Sequence, residues 1–344
     1  MPASRHLNAI VKPSVLQTDW SNRVAFTSES RKDQGETFFV TASDPRHNRA
    51  LWIRLHLSSQ SGLATSSAWA AYFDGDGSLV SAAETWPIDR AGIDPERAGL
   101  GTDVCNVEDG NSQGTLAGDG VHIGWHLKWS SQCPAYRPLP AERLYRHSLV
   151  PLKSLAPVPC GVFSGTIDIW HGGPRGAQQK RIVVSQWRGV QSHNWGAGAG
   201  EPGAWVHCAA FDGASTGSYF EALQLPSPVL WLGPKTVTLG RLVLDGCTYR
   251  FDTLRSLLRT GSSCTERGWD LDLQGPDGRL RGALRSGRLT AEQNLAGGIQ
   301  VLKNIPLSEL TITLEPRNDA ARTLNSGQAA FAYIVRKATI AGLA

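Results

Sequence analysis

The sequence predicts an all-β chain built as two domains, each a barrel or sandwich with little helix. Three observations point there. Over 344 residues, no long segment repeats apolar residues at i, i+3, i+4 and i+7, the pattern of an amphipathic helix. Short apolar runs bounded by Gly, Asp, Ser or Pro recur along the chain instead, as strands do. Asp-Gly, a strong hairpin signal, separates such runs at 74–77 and again at 276–278.

In chain order, strands are expected at 37–42, 51–57, 67–73 and 79–86, then at 121–129, 161–170 and 181–187. The second half offers 204–211, 219–225, 237–244, 248–251, 269–273, 280–284, 310–314 and 329–335. Helical candidates are only the short stretches 254–258 and 308–310. His171-Gly172-Gly173-Pro174 reads as a turn. No short-period repeat suggests a solenoid or propeller.

Alternation assigns faces within a strand. Ile53, Leu55 and Leu57 share one side, and Trp52, Arg54 and His56 the other. Ile123, Trp125 and Leu127 oppose His122 and His126. The polar faces are expected to meet solvent or a barrel lumen.

The glycine run at 196–203 is too flexible for a strand interior. It sets an expected boundary, with one domain over 1–198 and the second over 199–344. Either half is long enough to bury a core without metal or disulfide staples.

Composition narrows the function. Lys+Arg number 34 against Asp+Glu 30, and no run of five basic residues occurs, so no electrostatic footprint for nucleic acid is present. No apolar stretch approaches the ~20 residues of a membrane helix. The opening Met1-Pro-Ala-Ser-Arg-His lacks the apolar core of a signal peptide, so a cytoplasmic location and reduced thiols are expected for the six scattered cysteines. His122 and His126 stand four apart on an expected strand, about 13 Å between Cα atoms, too far to chelate one ion; no metal site is expected. Gly161-Val-Phe-Ser164-Gly165 places its Ser one position late for a nucleophile elbow. Phosphate-loop and dinucleotide glycine patterns lack a strand–turn–helix context, and no cofactor is expected. The 12 Trp can wall a cavity or fill wide β cores, and composition does not choose between these.

Chemistry concentrates at residues 185–208. Gln191-Ser192-His193-Asn194-Trp195-Gly196 precedes the glycine run, and Trp205-Val206-His207 follows it. His193 can exchange a proton near neutral pH. Gln191 and Asn194 can hold a substrate oxygen or a water through donors and acceptors. Trp195 and Trp205 offer faces to a conjugated ligand or a developing cation. The same residues also suit a structural corner, with the amide capping backbone groups and the indoles packed.

This segment resembles the signature of the carotenoid 1,2-hydratase (hydroxyneurosporene synthase) superfamily. That group includes the AttH-like proteins and, more distantly, tocopherol cyclases and fungal decalin-forming Diels–Alderases. The resemblance implies two tandem lipocalin-like β domains with a ligand pocket in or between them. It also implies protonation of an isolated alkene and capture of the cation by water. The hydratases carry an acidic residue immediately before the motif His, where this chain has Ser192. An acid would then be His193 or a carboxylate from elsewhere, such as Glu84 or Glu201.

The expected function is a cofactor-independent cyclase, isomerase or hydratase for an apolar polyene or terpenoid-like metabolite, with hydration disfavoured by Ser192. His193, Asn194, Gln191 and Glu84 are the expected catalytic residues. Trp195, Trp205, His207 and Trp187 are expected to line the pocket. The alternatives are a non-catalytic carrier or sensor of a lipophilic molecule, and an accessory protein with a vestigial pocket.

Overall fold

Each residue of a strand must pair its N–H and C=O with a neighbour, and this chain meets that demand with two antiparallel sheets. A computed structural model describes residues 22–27, 33–94, 96–131, 133–146, 150–172, 178–198, 200–226, 236–257, 259–295 and 300–336. The amino-terminal residues read for an export signal lie outside them.

The first sheet holds β1 (Gln34–Asp44), β2 (Arg49–Gln60), β3 (Leu63–Phe73), β4 (Leu79–Pro87), β5 (Ala91–Gly92), β6 (Gly99–Thr102), β7 (Asn106–Glu108), β8 (Asn111–Gly118), β9 (Val121–Ser131), β10 (Leu152–His171) and β11 (Gln178–Ala197). Its spatial order is β4-β3-β2-β1-β11-β10-β9-β8-β7-β6-β5. The sheet curls until β4 lies against β8 and β9. The second sheet holds β12 (Ala204–Cys208), β13 (Tyr219–Pro226), β14 (Thr236–Leu244), β15 (Cys247–Arg250), β16 (Gly261–Thr265), β17 (Gly268–Gln274), β18 (Gly278–Arg285), β19 (Ala291–Leu295), β20 (Gln300–Pro316) and β21 (Arg322–Arg336). Its order is β15-β14-β13-β12-β21-β20-β18-β17-β16, with β19 beside β20. The short helices α1 (Arg143–Arg146) and α2 (Leu254–Leu257) interrupt loops. This is an all-β, two-domain lipocalin-like architecture. The expected boundary at 198/199 falls in the connection between the sheets, of which residue 199 lies outside the described residues.

The expected helix at 308–310 is strand: it lies within β20. Three residues are too few for periodicity to separate the two states, and pairing with β18 and β21 decided it. The long β10 bends through register shifts around Val158 and again after Phe163. Pro157 and Pro159, which lack an N–H, stand at the first bend, where pairing is already interrupted.

Each sheet encloses its own core. Inside the first, Phe38 and Val40 of β1 and Leu51, Ile53, Leu55 and Leu57 of β2 meet Trp125, Trp129, Phe163 and Trp187. The second encloses Phe220, Leu242, Trp269, Leu280, Ile312 and Phe331. A third cluster joins the two bodies: Phe39, Trp52 and Trp69 meet Trp205, Leu223, Leu239 and Leu302. Phe39 lies edge-on to Trp205 at 5.3 Å between ring centroids, and Trp52 stands 5.8 Å from the same indole.

Two expectations need correction here. The polar face of β2 meets neither solvent nor a lumen. Trp52, Arg54 and His56 are buried between the domains, because the outer face of β1–β3 is covered by the second sheet. Trp187 and Trp205 do not wall a hollow. Trp187 is packed in the first core and Trp205 in the interdomain cluster, as in small barrels whose interiors are filled by side chains.

Trp52→Ala is expected to cost about 3–5 kcal/mol, the usual penalty for deleting a buried large aromatic. Chemical denaturation should show a lowered midpoint. A change within experimental error would mean that the interdomain cluster does not hold the domains together.

Candidate active site

Consecutive residues of a strand face opposite ways, so the motif residues on β11 divide into two sets. Gln191 and His193 stand opposite Val40 and Phe38 of β1, whose side chains belong to the first domain's core; Trp195, opposite Glu36, continues the same row and packs beside Tyr145. Ser192 and Asn194 stand opposite Phe39 and Thr37 and face the second domain. The structure therefore separates His193 from Asn194, which the linear motif places side by side.

The inner side carries an acid–base pair. His193 Nε2 lies 2.7 Å from Glu36 Oε1, with His193 0% and Glu36 1% exposed. The backbone N–H of Ala25 donates to both carboxylate oxygens, at 2.8 and 3.1 Å. The imidazole is stacked between Phe38 at 3.9 Å and Trp195 at 4.4 Å, which fixes its plane. Glu36, Trp195 and Lys153 form one cross-strand row over β1, β11 and β10. All three line a cavity of about 350 Å³ whose apolar walls include Phe26, Val150 and Pro151. Burial holds the Lys153 ammonium below its usual pKa, while its Nζ donates to Val150 O at 3.0 Å. One row back, Gln191 Oε1 accepts from Trp129 Nε1 at 3.0 Å.

The outer side carries a buried ion pair. Arg54 Nη1 donates to Glu201 Oε1 at 2.7 Å, both side chains being 2% exposed. Asn194 Nδ2 donates to Glu201 Oε2 at 3.0 Å, and Arg54 Nη2 reaches Asn304 Oδ1 at 3.4 Å. Burial lowers the Arg54 pKa, opposed by Glu201. His56 shares a 2.8 Å hydrogen bond with Thr37 Oγ1, and burial, then the Arg54 charge, pulls its pKa down to about 4. The glycine run explains how Glu201 arrives here. Gly200, at φ +67°, lies so close to β1 that a Cβ would stand 2.2 Å from Gly35 O; at Gly196 a Cβ would stand 2.1 Å from Pro151 O. Only glycine lets this loop descend between the domains.

Farther along the interface, Trp205 Nε1 donates to Glu221 Oε1 at 3.1 Å. Burial pushes the Glu221 carboxyl up to about 7, opposed by the Trp205 hydrogen bond and the Arg241 charge. His207 Nε2 donates to Pro159 O at 2.7 Å, and burial holds its pKa near 4, so it is neutral at physiological pH.

Of the expected site residues, Trp195 lines the cavity and His193 is buried behind it, stacked on that indole, while Asn194 meets Glu201 on the opposite face. Trp205 and His207 lie in the domain interface and Trp187 in the first core. Glu84 is half-buried at the seam of the first domain, where it accepts from Ala117 N–H at 2.9 Å and ties β4 to β8. Sequence reasoning missed Glu36 and Glu221. Their signal was parity: Glu36 alternates with Phe38, Val40 and Ala42, and Glu221 with Leu223 and Leu225, so each is a carboxylate in phase with apolar residues. Among the described residues no cluster of three or more His, Cys, Asp or Glu is arranged to hold a metal ion, and no helix is long and apolar enough to cross a membrane.

The two-sheet fold is similar to that of several solved structures. CghA, a Diels–Alderase solved with Sch210972, aligns with a TM-score of 0.54 at 11% identity over 88% of each chain. Kievitone hydratase from Nectria haematococca gives 0.52 at 12% identity, over 90% of this chain and 93% of its own. An AttH-like protein from Nitrosomonas europaea gives 0.50 at 12% identity, over 96% and 98%. At such identities the likeness is one of fold; the tocopherol cyclases gain no support from it. No protein-family model matches the sequence, and no curated protein matches it.

Glu201→Ala leaves Arg54 buried without its carboxylate and is expected to cost about 3–5 kcal/mol. Thermal and chemical denaturation should register this, and a neutral result would mean that the ion pair is not desolvated as described. Glu221 gives a pH signature. Its folded pKa lies above the unfolded one, so stability is full below about 4.5 and is lost as pH rises through about 7. The loss is on the order of 3 kcal/mol. Glu221→Gln should flatten that part of the stability profile; an unchanged profile would mean that Glu221 does not titrate there.

Proposed function

We propose that this protein is a cofactor-independent cyclase, isomerase or hydratase that protonates a carbon–carbon double bond of an apolar polyene or terpenoid-like metabolite. One observation carries the reading: a buried carboxylate–imidazole pair whose Glu36 is one of the residues lining a cavity with partly apolar walls. Glu36 is the proton donor at the cavity, and His193, clamped between two rings, holds the proton that replenishes it. Proton transfer to the alkene leaves a carbocation. The Trp195 face and the ionised carboxylate stabilise that cation. It then takes up water and releases a proton, loses a neighbouring proton, or is attacked by a second double bond to give a ring cation that in turn loses a proton, the carboxylate receiving the proton in each case. These three fates are hydration, isomerisation and cyclisation.

Lys153, across Trp195 from Glu36, is suited to a polar end of the substrate. Asn194 acts through Glu201, and Gln191 through Trp129, as positioning residues. The fold shared with a hydratase and a Diels–Alderase supports an enzyme of this kind. The second reading is a carrier of the same ligands. It is favoured by the bonding of Glu36, whose two oxygens already accept from Ala25 N–H and one of which shares a hydrogen bond with His193.

The substrate can be identified by mass spectrometry of the apolar compound that copurifies. Glu36→Gln is nearly isosteric and should lower turnover of that compound at least about 100-fold, with ligand still quenching Trp fluorescence. In D₂O the wild-type product should gain deuterium at carbon. Full turnover in both Glu36→Gln and His193→Ala would sink the proposal; binding without turnover in the wild type would establish the carrier.

A further inference from the structure

The second domain contains a larger cavity, unconnected to the motif. It measures about 670 Å³ and lies between α2, the β17–β18 turn and the end of β20. Arg255, Arg259, Arg279 and Arg317 line it, against the single carboxylate of Glu315. That carboxylate is already occupied, since Arg281 Nη1 donates to it at 2.8 Å. Arg279 is held by Asp272 through a two-pronged contact. Among the described residues Arg255, Arg259 and Arg317 make no ion pair, whereas their neighbours Arg250, Arg279 and Arg281 each do.

The backbone that presents these arginines is fixed. Arg317 N–H donates to Asp277 O at 3.1 Å, Arg259 N–H to Ser256 O at 2.9 Å, and Gly275 N–H to Gly278 O at 2.9 Å. Three uncompensated guanidiniums held around one concavity repel one another, and a ligand with several negative charges relieves that repulsion. A guanidinium is planar, stays charged at all accessible pH, and matches the oxygens of a phosphate with paired donors. The volume lies within the range of small-molecule pockets and leaves room for an organic body beside the anionic group.

We infer that this cavity is a binding site for a phosphate-bearing ligand, with Arg255, Arg259 and Arg317 as its anion-holding residues. The site is independent of the Glu36–His193 chemistry. Inorganic pyrophosphate is the simplest soluble probe, and vesicles of phosphatidylcholine with or without phosphatidic acid test a lipid headgroup as the source of the phosphate.

Isothermal titration of the full chain with pyrophosphate should show saturable one-to-one binding that weakens as salt rises. Affinity should fall by about tenfold or more in Arg255→Ala/Arg317→Ala, as expected for losing charge-assisted bonds. The control Arg267→Ala/Arg288→Ala removes the same charge elsewhere and should bind as the wild type does. Cosedimentation confined to phosphatidic-acid vesicles, and lost in Arg255→Ala/Arg317→Ala, would assign the site to a lipid phosphate. Absence of binding to both probes, or equal loss in the two double variants, would overturn the inference.

Discussion

The constraint on which this architecture rests is that β11 has almost no solvent face along its motif. A strand presents alternate residues to opposite sides, and here one side is a barrel interior and the other a domain interface. Gln191, Ser192, His193 and Asn194 are all buried. Every polar group among them therefore needs a partner supplied by another element. Glu36 arrives from β1, Trp129 from β9 and Glu201 from the glycine loop. A run of six residues that reads as one cluster becomes two polar sites, back to back.

Those two sites differ in what they can do. The Arg54–Glu201 pair with Asn194 and Asn304 spans both domains and has no cavity beside it among those described. Its members bond one another across the two bodies, which suits a pin, although Arg54 Nε, Asn194 Oδ1 and Asn304 Nδ2 keep no hydrogen-bond partner among the described residues. Desolvating two charges yields little net stability, but their mutual geometry fixes how the domains meet. The Glu36–His193 pair is equally buried, yet its Glu36 belongs to the lining of a cavity. An acid–base pair with a cavity before it can meet a substrate; a charge pair between packed faces cannot.

The strand pattern was legible in the sequence because it depends on local terms: alternation, Gly and Asp at turns, and the lack of helical periodicity. The expected strands coincide with observed ones, save that 204–211 and 248–251 overrun β12 and β15, and both Asp-Gly signals lie at hairpins, β3–β4 and β17–β18. β5 to β8, β16 and β19 were not legible, since strands of two to five residues carry little period and β8, rich in Asn, Ser, Gln and Gly, offers few apolar positions. The helix expected at 308–310 failed for the same reason. Within the site, His193 and Trp195 stood out by composition. Glu36 did not, because its meaning comes from pairing with a strand more than a hundred residues away.

By itself the sequence determined that this chain is β throughout, where its turns fall, and that its polar and aromatic chemistry gathers on either side of a glycine run. Such features depend on neighbours within a few positions, and alternation writes them directly into residue order. Only the tertiary structure decided which way each face looks. Arg54 and His56 could equally have met water, until the second sheet covered them. The indoles could have walled a hollow, until core packing claimed most of them. Long-range burial is a property of the assembled layers, and no single strand contains it.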